Sequence, residues 1–213
     1  MNKWRLSLSL SGKMVYLSHL DLLASFERAL RRSGLPVSYS SGFNPHMLIS
    51  WGPAHPVGVG GDNEYCDLVF TGLVDQQWPQ AFNTVLPDGM HINAAKPLED
   101  GAVSLMAAIN YAQYIIELEN IVNTAALDAA IKRLLDEDSY VIERISPKGR
   151  KRLDIRSAID TLKLDDNLLY FGCRLGGGPT PKISELADIL GVTVGSARRT
   201  GLFIDGNNGR MLP

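Results

Sequence analysis

From its fourth residue the chain alternates: Trp4, Leu6, Leu8 and Leu10 are apolar, and Arg5, Ser7 and Ser9 between them are polar. Period two predicts a strand with one buried face, closed by Ser11-Gly12. The period then changes. Leu22, Leu23, Phe26, Ala29 and Leu30 recur at helical spacing behind Ser18, a good N-cap with Asp21 three positions on as its capping partner, and Gly34 stops the run. Extended pieces follow at 37–40 and 47–51. A loop rich in Gly and Pro spans 52–61, then come a strand at 64–70, a short helix at 75–86 and a strand at 90–94. This β-α-β-β-α-β order is the ferredoxin-like, or split β-α-β, pattern.

After residue 106 the same logic starts again. Strand 111–119 alternates, and helix 124–136 carries Leu127, Ile131, Leu134 and Leu135 as its apolar stripe. Extended stretches at 140–145 and 154–162 flank a basic run. A strand at 168–175, a helix at 182–190 and a tail at 191–211 with a short strand near 201–204 complete the chain. The expected fold class is α+β: two ferredoxin-like (split β-α-β) halves with antiparallel sheets, at 1–97 and 108–213, joined by a linker at 98–107.

Composition narrows the function classes. The chain has 213 residues, 45% hydrophobic and 21% charged, and a formal net charge of −2. These are globular values that exclude disorder or a coiled coil as a whole-chain description. There is no apolar run of the ~18 residues a membrane helix needs, and the polar residues inside the first apolar stretch speak against a secretory signal. Two cysteines, Cys66 and Cys173, make no disulfide framework and form no CxxC, which places the expected location in the reducing cytoplasm. Four scattered histidines show no metal-ligand spacing, and neither a metal nor a cofactor is expected.

The charge is unevenly spread. Residues 33–95 hold no Lys or Arg and five acids. Basic clusters bracket this gap. Arg28, Arg31 and Arg32 stand before it, and Arg28 and Arg32 share a polar helix face with Asp21 and Ser25. Beyond it, Arg144, Lys148, Arg150, Lys151, Arg152 and Arg156 crowd residues 144–156 against the single acid Asp154. Dense local charge matters more to a phosphate partner than a small net charge. On the charge run alone, a solvated hairpin tip turned by Pro147 and Gly149 is the plainer reading. On a strand, Asp154 and Arg156 would share a face.

The other unusual stretch is Ser41-Gly42-Phe43-Asn44-Pro45-His46. Gly42 can expose successive N–H groups to an anion, Phe43 can stack on a ring, Asn44 can read a hydrogen-bonding edge and His46 can exchange a proton. Arg28 and Arg32 would supply the cations if their helix face borders this loop. A rigid turn with Phe43 in the core is an equal alternative. His19 and Asp21 are candidates for a general base with its orienting carboxylate, although two positions apart on a helix they diverge, and Asp21 also suits a plain cap. No phosphate-loop, nucleophile-elbow or zinc-helix motif occurs, and Gly58-Val59-Gly60-Gly61 between His55 and Glu64 is not a dinucleotide fingerprint.

The segment YLSHLDLLASFERALRRSGLPVSYSSGFNPHMLISWGPAHPVGVGGDNEYCDL resembles the radical-SAM-linked domain of unknown function, densely from Arg5 to about Pro97, with KGRKRLDIR (148–156) and RTGLF (199–203) as later landmarks. The family pattern has Pro-Lys after Asn44-Pro45-His46; here Met47-Leu48 stand there, and a cation beside the loop is lost. The resemblance implies a radical SAM protein as partner. The chain has no CxxxCxxC and so cannot hold that chemistry's iron–sulfur cluster itself. Three functions stay open: an RNA-binding or RNA-substrate-presenting accessory module, an enzyme on a small molecule or modified nucleoside using His19, Asp21, Asn44 and His46, and an adaptor that docks a radical SAM protein.

Overall fold

The computed structural model describes residues 2–99, 101–119, 123–147, 149–207 and 209–213, which form two units: Met1–Ile109 with Arg210–Pro213, and Asn110–Gly209. The first is built on strand β1 (Asn2–Leu10), whose Trp4, Leu6, Leu8 and Leu10 are all buried. Helix α1 (His19–Ser33) covers that face with Leu22, Phe26, Ala29 and Leu30. Ser18 caps its start by accepting from the Asp21 N–H at 3.2 Å, and Gly34 ends it at φ 68°, a left-handed conformation that glycine adopts without strain. Strands β2 (Ile49–Trp51) and β3 (Gly60–Phe70), helix α2 (Trp78–Asn83) and strand β4 (Met90–Pro97) follow. The sheet order is β4-β1-β3-β2 with antiparallel neighbours throughout. A strand–helix–strand crossover, a hairpin connection and a second crossover produce this order, as the split β-α-β pattern requires.

Edge-on aromatic pairs fill the space between this sheet and its helices: Phe26 against Trp51 (5.1 Å between centroids) and Phe82 (5.4 Å), and Trp78 against Phe70 (5.1 Å) and Trp4 (5.9 Å). Each pair adds about 0.5–1.5 kcal/mol to the burial of its rings. On the opposite face Arg5 and Asp67, directly opposed across β1 and β3, form a forked pair at 2.7 and 2.9 Å, with the Lys3 ammonium 3.1 Å from the same carboxylate. Segment 98–107 lies against the first unit: the Leu98 N–H donates to Lys3 O, Val103 O accepts from Arg5, and Leu105, opening helix α3 (Leu105–Ala108), is fully buried.

The second unit runs β5 (Tyr111–Glu119), α4 (Thr124–Asp136), β6 (Val141–Ser146), β7 (Gly149–Asp154), β8 (Ile159–Asp165), β9 (Leu168–Arg174), α5 (Ile183–Leu190) and β10 (Thr193–Gly206). Its sheet order is β10-β5-β9-β8, again antiparallel, while β6 and β7 form a separate two-stranded sheet. Without β6 and β7 the unit has the topology of the first: strand, helix, edge strand, inner strand, helix, outer strand. Asn123 caps α4 through the Ala126 N–H, and Leu127, Ile131 and Leu134 are the buried positions on that helix.

Three elements differ from the sequence reading. The expected tail at 191–211 contains β10, fourteen residues long, paired with β5 from Thr193 to Phe203. Its polar, glycine-containing sequence hides a strand because its glycines serve packing: a Cβ on Gly195 would lie 2.9 Å from Glu119 Cγ, and one on Gly201 2.6 Å from the Phe203 ring. The stretch at 154–162 is broken by a 3-10 turn at Arg156–Ala158, so Asp154 and Arg156 do not share a strand face. Helix α2 is shorter than 75–86; the Asp75 side chain accepts from the Gln77 N–H, and Pro79 fits only its first turn.

Candidate functional site

The basic run forms a β-ribbon. Strands β6 and β7 pair from Val141↔Asp154 to Ser146↔Gly149, and Gly149 has φ 116° beside the turn. Lys148 lies outside the described residues. The register sorts the other cations. Ile142, Arg144, Leu153 and the exposed Lys151 share one face, on which Arg144 forks onto Glu185 of α5 (2.7 and 2.8 Å) and also donates to Thr180 O (2.9 Å). Burial alone would raise the Glu185 carboxyl, but the Arg144 guanidinium and the Lys182 N–H outweigh it and hold the carboxyl below its ordinary range. The outer face carries Val141, Glu143 and Ile145 opposite Asp154, Arg152 and Arg150. Arg150, Lys151 and Arg152 are exposed. Arg150 reaches Glu143 at 3.2 Å, a surface pair worth about 1 kcal/mol at most.

Arg156 is used differently. Its guanidinium donates to Leu135 O (2.6 Å), in the last turn of α4, and to Ile159 O (2.9 Å). A cation on those carbonyls stabilises the helix end. Asp154 closes the neck of the ribbon by accepting from the Tyr140 and Arg156 N–H groups, and these bonds lower its pKa.

In the first unit, residues 41–46 form an exposed loop closed by a Tyr39↔Met47 bridge. Ser40 Oγ accepts from the His46 N–H and lies 2.9 Å from His46 Nδ1. Ser41, Gly42, Asn44 and His46 face solvent, Gly42 has φ 127°, and Phe43 at the tip is 106% exposed. Arg28 donates to Ser25 Oγ and Arg32 to Val85 O; neither bonds to this loop. The hydroxyl of Ser18 donates to Asp21 Oδ2 at 2.7 Å, so this carboxylate is engaged at the cap, while His19 sets its ring edge-on to Trp51 at 6.4 Å. The loop and the ribbon hold equivalent places in their units. One connects α1 to β2; the other connects α4 to β8.

A constellation that sequence reasoning passed over lies inside the first unit. His55 and Glu64 are buried, with side chains 3% and 6% exposed. His55 Nε2 is 2.5 Å from Val59 O, and Nδ1 is 3.2 Å from Glu64 Oε1 without forming a hydrogen bond. Both line a pocket with His19, Trp51 and the apolar Leu8, Leu10, Leu22 and Met90. Gly61 lies against the pair: a Cβ there would be 2.9 Å from Glu64 Cγ and 3.1 Å from His55 Cε1. The available signal was register. Glu64 shares its strand face with Cys66, Leu68 and Phe70, and a carboxylate heading an apolar stripe needs a buried partner. In the second unit Asp160 accepts from the Tyr111 hydroxyl (2.9 Å) and pairs with Arg174 (2.5 Å). Neither cysteine is poised as a nucleophile: burial pushes the Cys66 thiol well up and raises Cys173 to about 12. Among the described residues no group of three or more His, Cys, Asp or Glu could hold a metal ion, and no helix is long and apolar enough to cross a membrane.

Residues 3–187 match the family model described as an uncharacterised protein conserved in bacteria (DUF2344). The chain belongs to this family. Among curated proteins, none matches it. The solved structures to which this DUF2344 chain is similar include a Cbf5-Nop10-Gar1 complex, at 13% identity over 93% of this chain and 48% of that chain, with a TM-score of 0.47. They also include the archaeal box H/ACA sRNP Nop10-Cbf5 complex, at 13% identity over 93% and 47% with a TM-score of 0.44. A third is an H/ACA RNP bound to a substrate RNA containing 2'-deoxyuridine, at 13% identity over 94% and 47% with a TM-score of 0.46. The DUF2344 chain spans about half the length of the chains it matches.

Proposed function

We propose that the protein is an RNA-binding accessory module that works beside a radical SAM protein in the cytoplasm, and that the β6–β7 ribbon is its phosphate-contacting element. The observation that carries this reading is a self-paired ribbon, added to a split β-α-β core, with Arg150, Lys151 and Arg152 all exposed. The ribbon's cations gain affinity for a phosphate backbone by releasing condensed counterions. Ion-paired Arg144 and carbonyl-bound Arg156 hold the ribbon to its unit, so the contacting set is Lys148, Arg150, Lys151 and Arg152. Phe43, on the equivalent connection of the first unit, offers a ring for stacking on an unpaired base, with Ser41, Gly42 and Asn44 beside it as polar contacts. The radical SAM partner follows from the resemblance of residues 5–97 to the radical-SAM-linked domain.

Binding of single-stranded RNA across a salt series tests the reading. Four phosphate contacts give a slope of log affinity against log salt near about −3, and R150A/K151A/R152A should bring it to about −1. Phe43→Ala should weaken binding about tenfold and leave the slope unchanged. RNA binding with the same affinity and slope in the triple variant overturns the assignment of the ribbon. Absence of RNA binding by the unaltered chain at low salt overturns the function.

A further inference from the structure

We propose that the open face of the second unit's sheet holds an unpaired RNA base, stacked on Tyr170 with a neighbouring phosphate on Lys163. The inference rests on the RNA reading above and adds to it a base-holding surface built on other strands than the ribbon's.

Alternation sets the two faces. Strand β5 buries Tyr114, Ile116 and Leu118 on one side and turns Gln113, Ile115 and Glu117 to the other, where none of the three is buried. Strand β9 does the same, with Leu169, Phe171 and Cys173 inward and Leu168 and Tyr170 outward. Register then lines up one row across four strands: Arg198 of β10, Ile115 of β5, Tyr170 of β9 and Lys163 of β8. Ile115 and Tyr170 are directly opposed, with side-chain roots about 5 Å apart, and form an apolar platform. Among the described residues the Tyr170 hydroxyl has no hydrogen-bond partner, so the fold does not commit that ring to a bond. Lys163, at the end of the row, is exposed and makes no ion pair among the described residues.

The next row is polar. Gln113 faces Gly172, and Thr161 lies beyond it. Gly172 has no side chain of its own, and the Tyr111 hydroxyl lies over it. Here a groove of ≈ 260 Å³ opens, lined by Gln113, Ile115, Thr161, Tyr170, Gly172 and Thr200. That is below the ≈ 300–1,000 Å³ of sites for drug-sized molecules and suits one flat ring system. The lining offers an aromatic face, an amide and hydroxyls that both donate and accept, and no charge. A nucleobase matches each of these, since its face stacks on a tyrosine ring and its edge carries donors and acceptors. The surrounding charge sets where its phosphate goes. Lys163 stands at the rim, while Glu117 and Asp165 occupy the row on the far side of Tyr170 and repel an anion there. The groove is open rather than enclosed, so a strand can enter and leave on either side of the held base.

The test uses the whole chain, a short single-stranded RNA and an abasic strand of the same length. Ultraviolet cross-linking of the RNA to the unaltered chain, mapped by mass spectrometry, should mark the β9 peptide that contains Tyr170. Tyr170→Ala should weaken RNA binding about tenfold, with the salt slope and the affinity for the abasic strand unchanged. Tyr170→Phe should bind RNA as the unaltered chain does, because stacking needs only the ring. Lys163→Ala should reduce the magnitude of the salt slope by about 0.7 on both strands. RNA binding without a cross-link in β9, unchanged RNA affinity in Tyr170→Ala, or an equal loss for RNA and the abasic strand overturns this site and leaves the ribbon reading standing. Absence of RNA binding by the unaltered chain at low salt overturns that reading and this one together. The cross-link is read on the unaltered chain, so it decides the matter even if a variant fails to fold.

Discussion

Glu64 lies on the strand face that turns Cys66, Leu68 and Phe70 inward, and a single absent side chain makes room for it. Gly61→Ala would drive a methyl group to 2.9 Å from Glu64 Cγ and 3.0 Å from its Oε1. Overpacking of this kind costs about 1–3 kcal/mol, and urea unfolding should show a loss in that range. A stronger case is Gly172, where an added Cβ would fall on the Tyr111 hydroxyl and push the ring off Asp160. Gly172→Ala should cost about 2–3 kcal/mol. Tyr111→Phe alone should cost about 1 kcal/mol for its hydrogen bond, and the double variant should be less destabilised than the sum of the two. Full additivity would falsify this direct clash. At this scale the sequence exposed local chemistry well and long-range chemistry poorly. The Ser18 cap and the Gly34 stop were readable because cap and helix are neighbours in the chain. The His55–Glu64 and Tyr111–Asp160 pairs were not, because each joins residues that only the sheet register brings together.

Helices and strands with one strong period were legible to within a few residues: β1, α1, β5 and α4 all stand where the apolar spacing puts them. Strand β10 was not, since glycines used for close packing look the same in a sequence as glycines used for freedom. The ribbon was legible as a turn between basic stretches, but its register was not, and register decides which cations are free. Arg144 is the clearest consequence. Its pair with Glu185 fastens the ribbon to α5, and the carboxyl is held below its ordinary value of 4.5. A carboxyl depressed in the folded state adds stability above its unfolded pKa, and that stability fades as the pH falls through the lower folded value. Arg144→Ala should therefore cost about 1–2 kcal/mol at neutral pH. The difference from the parent chain should shrink as the pH drops below about 4.5. Unfolding curves at neutral and acidic pH check this; a constant difference would show that Arg144 acts by packing alone.

Across the molecule the same topology appears twice, and each copy holds one buried cysteine, Cys66 in the first unit and Cys173 in the second. Each thiol is thereby a reporter on the opening of its own unit. In native buffer both should react with a thiol reagent at least about a hundredfold more slowly than in denaturant, because burial both hides the sulfur and disfavours the thiolate. Rapid native labelling of either would mean that its unit opens readily. The repeated fold was legible only as an order of elements, since the halves share too little sequence to align.

The neck of the ribbon has a practical consequence. The Ile155 N–H donates to Tyr140 O, and the Tyr140 N–H donates to Asp154, so the chain enters and leaves the excursion at nearly one point. Residues 142–153 can then be excised and the gap bridged by an Asn-Gly turn with no strand of the parent sheet altered. Such a trimmed chain, returned to cells that lack the full-length one, would separate what the scaffold does from what its appendage does.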